Sequence, residues 1–169
     1  MASTNLNGSS GVTINLSHLK AIDLATLQDP LAIACITNWS WGTGANQANC
    51  IFHDQRTLAD GANETLDLYA SGSLLDPFGD ALTMTALKLL YLRNYSSDAN
   101  LLVCGGTSAD IPIFSNNSDQ LIIKPGGYFL WTDPTAAGSV ITTNKNLKLT
   151  HDGTGSSTLT YDVIALGLD

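Results

Sequence analysis

Glutamate is almost missing from this chain. Glu64 is the single one, and every other residue among the fifteen acids is an aspartate. Solvated helices draw on glutamate, lysine and alanine, whereas aspartate, asparagine, serine, threonine and glycine favour turns and strand connections, so the scarcity argues against a helical fold. Basic residues are also few. Seven lysines and arginines, scattered singly, leave no cluster to neutralise phosphates, so no nucleic-acid partner is expected. Three cysteines, Cys35, Cys50 and Cys104, lie in or beside apolar segments, form no CxxC pair and are too few and odd in number for a disulfide framework, so buried free thiols are expected. No apolar run approaches the length of about 18 residues that spans a bilayer, and no membrane partner is expected. The first eleven residues lack the positive and apolar regions of a signal peptide, so synthesis in a cytoplasm is expected.

What is present suits one compact domain. The chain has 169 residues, a size that buries a single core. Hydrophobic residues make up 44 % and charged residues 13 %, which puts it far from the composition of disordered chains. A net charge of −8 favours solubility at high copy number.

Along the chain, residues 1–11 read as a flexible polar arm and 12–169 as one domain. Between Val12 and Asp29 alternation gives way to helix-like spacing, predicting a short strand or loop followed by a helical turn that ends before Pro30. Strand signals then multiply: Leu31 to Asn38, Cys50 to Leu58, Glu64 to Tyr69 after an Asp60-Gly61 turn, and Leu82 to Tyr95. The stretch Trp39 to Asn49 has loop composition. Leu101 to Cys104 is expected to pair back on the preceding strand as a hairpin. Two further hairpins are expected, one around Pro125-Gly126-Gly127 joining Gln120–Lys124 to Tyr128–Thr132, the other around 152–156 joining Asn146–Thr150 to Thr158–Leu166. Eight or nine short strands without intervening helices predict an all-β fold, an antiparallel β-sandwich of jelly-roll type with a flexible N-terminal arm, a barrel being the alternative.

Signatures of chemistry are scarce. His18, His53 and His151 are too far apart for a helical zinc motif, and the Asp152-Gly153-Thr154-Gly155-Ser156 segment lacks the alternating acids of a calcium loop. There is no GxSxG elbow, P-loop or dinucleotide fingerprint. No metal, cofactor or catalytic residue is expected, and the chain reads as a non-enzyme. A hydrolase whose carboxylates converge only in space is the minority reading. Trp39 and Trp41, two apart and on one face if extended, are candidates for a partner interface, as are Asn5 and Leu6 of the arm, although core packing is the usual fate of tryptophan.

Several stretches resemble tailed-bacteriophage virion structural proteins: Ser40 to Asn49, His53 to Leu58, Leu66 to Leu68, Asp76 to Gly79, Leu87 to Asn94, Lys124 to Gly127 and Thr160 to Ile164. The resemblance spans roughly residues 40 to 166 and is most like head-decoration, or cement, proteins. It implies a jelly-roll domain on the outer head surface of the virion that clamps major capsid protein subunits. It also implies a homo-oligomer, a trimer being favoured and a dimer the alternative. A tail, fibre or spike component binding host glycan through Trp39 and Trp41 is the second reading.

Overall fold

The structure is a computed structural model and describes residues 5–69, 74–105, 109–116, 118–153, 155 and 157–169. Every regular element among them is a strand. The first two, β1 (Asn7–Ile22) and β2 (Ala25–Trp41), form one long antiparallel ribbon, and β3 (Gln47–Ala48) adds two residues beside the end of β2. The other strands are β4 (Cys50–Leu58), β5 (Asn63–Asp67), β6 (Ala86–Asn94), β7 (Leu101–Val103), β8 (Leu121–Ile123), β9 (Tyr128–Thr132), β10 (Ser139–Val140), β11 (Asn146–His151) and β12 (Leu159–Leu168). They build two antiparallel sheets. In one, β4, β12 and β6 lie side by side, with β9 and β10 sharing the outer edge of β6; in the other the order is β5-β11-β7-β8.

The inner faces of the two sheets meet on one core. Phe52, Leu90, Leu92, Leu159, Tyr161, Val163 and Ala165 come from the first sheet, and Leu66, Leu101, Val103, Ile123, Leu147 and Leu149 from the second. Alternation along β11 and β12 places these residues inward and their neighbours outward, as a sheet with one buried face requires. At the end of β12 the pairing with β6 slips between Leu166 and Gly167, and the slip leaves Lys88 as the extra residue of β6. Lys88 is fully buried and donates from Nζ to the Gly44 carbonyl at 2.8 Å, fastening the 42–46 loop to the body. Burial pulls its ammonium below the ordinary lysine range, and the Asp133 carboxylate opposes that shift.

Three expectations are corrected here. The helical turn before Pro30 is absent: residues 12–29 lie in β1, a two-residue turn at Asp23-Leu24, and the start of β2. Residues 7–11, expected within a flexible arm, are the first residues of β1, while 1–4 lie outside the described residues. Each of the three expected hairpins is a crossing between the two sheets. β6 and β7 do not pair, β8 pairs with β7 while β9 pairs with β6, and β11 and β12 belong to opposite sheets. The glycine turn is still there, with Gly126 at φ 73°, but it turns the chain a corner. Asn94 anchors that corner from inside. Its fully buried amide donates to the carbonyls of Ala99 (2.8 Å) and Ile123 (3.0 Å) and accepts from Ser96 N–H (2.8 Å), leaving no polar atom unmatched.

Candidate interaction surface

The ribbon carries the most unusual surface of the molecule. Every residue from Thr13 through Ile36 is exposed, among them Ile14, Leu16, Leu19, Ile22, Leu24, Leu27, Leu31, Ile33 and Ile36. The register sorts them. Rows Val12/Cys35, Ile14/Ile33 and Leu16/Leu31 stand on one face, and Thr13/Ala34, Asn15/Ala32 and Ser17/Pro30 on the other. Over these rows the first face is apolar and the second polar or small, with Gln28 donating to the Ser17 hydroxyl at 3.0 Å, while the flanking rows Gly11/Ile36 and Leu19/Gln28 add two exposed apolar side chains to the second.

At its root the ribbon docks on the chain's own body. Trp39 stands on the apolar face and is 3 % exposed, packed with Ala48, Leu89 and Leu166, with Leu6, Ile51, Tyr91, Leu130 and Ile164 around them. Its indole Nε1 donates to the Ser10 hydroxyl across the ribbon at 2.8 Å. Between the root and the outer face of β6, β9 and β12 runs an apolar groove of about 570 Å³, bordered by Val12, Tyr91, Tyr128 and Leu130. Gly11 permits the close strand approach at this point, because a Cβ there would lie 2.3 Å from the Cys35 carbonyl oxygen.

The residues singled out from sequence fall around this root without forming one open site. Trp39 is covered, so its ring face offers nothing for a sugar to stack on. Trp41 is half-buried and borders a separate groove with Leu6, Asn49, Cys50, Asp76 and Asp169. Leu6 is half-buried between the two grooves, and Asn5 is exposed. Sequence reasoning missed the apolar ribbon face. The alternation of Val12, Ile14 and Leu16 was the available signal, and Leu19 with Ile22 masked it.

A second cluster lies where β4 and β5 leave the body open at one side. The Arg56 guanidinium reaches Glu64 through Nε (2.7 Å) and Nη2 (2.6 Å) and Asp54 through Nη1 (2.9 Å). The Tyr161 hydroxyl donates to Glu64 Oε1 at 2.5 Å. His151, also buried, accepts from Gly153 N–H at Nδ1 (3.1 Å), which assigns the proton to Nε2 and directs it at the Ser157 carbonyl (2.9 Å). Among the described residues no three His, Cys, Asp or Glu side chains gather as a metal site.

The cysteines are free and differ in reactivity. Cys35, expected to be buried, is instead exposed on the ribbon, whereas burial, aided by Asp169 and Asp76 at Cys50 and by Asp110 at Cys104, pushes those two thiols from 9.0 to about 12. A maleimide at mildly alkaline pH is therefore expected to modify Cys35 alone in the native monomer, which peptide mapping reads directly. Both folded values lie above the unfolded one. Their contribution to stability is thus full below pH 9 and is lost as the pH climbs toward about 12, so thermal unfolding followed across that window should show a falling Tm that Cys104→Ala flattens.

No protein-family model matches this chain, and no curated protein matches it.

Proposed function

We propose that this protein is a non-enzymatic structural component of a bacteriophage virion, a decoration or cement protein that binds the outside of the head and stabilises the major-capsid lattice. The observation that carries the reading is the long ribbon with a bare apolar face, held out from an acidic body whose own core is complete. Such an arm is suited to lie over a neighbouring subunit and has no evident use in a protein that works alone. The resemblance of residues 40–166 to virion proteins supplies the viral setting.

We further infer that the body is a jelly roll. The strand orders β4-β12-β6-β9 and β5-β11-β7-β8, with the chain crossing between sheets at nearly every connection, favour two interlocked Greek keys over a barrel. A repeated contact on a lattice multiplies modest affinities, and a surplus of acidic charge keeps the free protein soluble until it docks. The partners are the major capsid protein and further copies of this chain, with a trimer favoured by the resemblance. The glycan-binding alternative draws less support, because Trp39 is covered and only Trp41 of the pair reaches a groove.

Mixing the purified protein with undecorated, expanded capsids tests this reading. Co-sedimentation at saturable stoichiometry, with capsids that then resist heat or chelators better, is expected. Failure to co-sediment with any expanded head overturns it.

A further inference from the structure

We propose that the apolar face of the ribbon, formed by Val12, Ile14, Leu16, Leu31, Ile33 and Cys35, is a self-association surface that packs against the same face of a second copy of this chain. The inference deepens the assembly reading above by naming the surface through which copies join, and it can fail while capsid docking stands.

Four observations converge on a second copy. First, a two-stranded ribbon is marginally stable in water unless a third strand or a packed layer covers its apolar face, yet this one runs uncovered from Thr13 through Ile36. Second, the cover that the root of the same face already has is this chain's own surface. Trp39 packs there on Leu89 and Leu166, side chains of the same aliphatic kind as those left bare farther out.

Third, the face is self-complementary. Its rows carry no charge between Ser10 and Leu16 on β1 or between Leu31 and Thr37 on β2, so stacking these rows of two copies brings no like charges together, and Asp29 and Lys20 stand on the same face farther out. The ribbon as a whole holds one lysine and two aspartates, Lys20, Asp23 and Asp29, a net −1 of the chain's −8 with histidine neutral. The acidic bodies stay apart while nearly neutral arms meet, over a ribbon roughly 50 Å long. Fourth, the area suffices. With Ile14 42 %, Leu16 61 %, Leu31 46 % and Ile33 50 % exposed, the face offers on the order of 500 Å² per copy, and a pair removes roughly 1,000 Å², the lower bound for a specific interface. Two ribbons stacked in a two-fold pair, or three closed in a ring, both satisfy the contact.

The test is the mass of the purified full-length protein by sedimentation velocity from about 1 to about 100 µM, with maleimide labelling of Cys35 followed in parallel. A dimer or trimer is expected, with Cys35 protected at least tenfold at the high end relative to the low end. Ile33→Asp and Leu16→Asp should shift association at least tenfold toward monomer, whereas Ala34→Asp on the opposite face should leave it unchanged. Unaltered circular dichroism and an unreactive Cys104 show that each variant is folded. A wild type that stays monomeric throughout, or an Ile33→Asp variant that associates like wild type, overturns the proposal. A monomeric protein that still co-sediments with capsids overturns it alone and leaves the docking reading intact.

Discussion

Gly167→Val is expected to destabilise the fold by roughly 3–5 kcal/mol and Gly167→Ala by about 2 kcal/mol. Gly167 is buried at the slip in the β12–β6 ladder. A Cβ there would lie 2.3 Å from the Ala86 carbonyl oxygen and 2.5 Å from both Cγ and Sδ of Met84. Met84 is itself fully buried and the Ala86 carbonyl is backbone, so neither has room to withdraw. In an ordinary strand position, replacing glycine with a residue that has a side chain stabilises by restricting the unfolded chain. The sign therefore discriminates: chemical denaturation showing Gly167→Ala at or above wild-type stability would mean that the strands do not approach this closely. Combining Gly167→Ala with Met84→Ala apportions the cost. A double variant less destabilised than the sum of the singles assigns part of the clash to Met84, and strict additivity assigns it to the Ala86 carbonyl.

That position also shows how far the sequence could be read. Strands were legible wherever apolar residues alternate between turn residues, and β4 begins and ends at the boundaries expected from Cys50 to Leu58. Which sheet each strand joins was not legible. Both sheets bury one face, so both impose the same alternation, and a glycine turn such as 125–127 closes a hairpin or turns a corner with the same residues. The partners that decide it, such as Asn94 bonding Ile123 from 29 residues away, are distant in the chain. The ribbon was legible only in part, as the strand expected from Leu31 to Asn38, and its hairpin was missed for a different reason. Its turn, Asp23-Leu24, lacks the glycine or asparagine of a tight hairpin and has no positive φ, and Pro30 sits within β2. Proline is tolerated there because a two-stranded ribbon has free outer edges, where a missing donor breaks no ladder. Of the residues singled out around the candidate surface, Leu6 and Trp41 border grooves, while Trp39 proved to be the peg that seats the ribbon.

Glu64, alone of its kind in the sequence, holds a position that its isolation gave no hint of. Replacing it with alanine is expected to cost about 3 kcal/mol. It stands on β5 in one sheet and receives Arg56 from β4 and Tyr161 from β12 in the other, so it ties the layers together at their open side. Its loss leaves the fully buried Tyr161 hydroxyl without an acceptor, whereas Arg56, a third exposed, keeps Asp54 and solvent. Tyr161→Phe should cost less, about 1 kcal/mol, because Glu64 then retains the guanidinium. The two variants separate the value of the hydroxyl from that of the ion pair, provided both unfold in one transition. Alkaline titration supplies an independent reading. Burial first, then the hydrogen bond and charge of Glu64, hold the Tyr161 proton well above the ordinary tyrosine range. With the folded value raised, the contribution of Tyr161 to stability is full below about pH 10 and declines as the pH rises beyond it. Glu64→Gln removes the carboxylate's charge while keeping an acceptor, so it should bring the tyrosinate absorbance of Tyr161 to lower pH with only a modest loss of stability. An unchanged tyrosinate titration in that variant would assign the shift to burial alone and reduce Glu64 to a partner of Arg56.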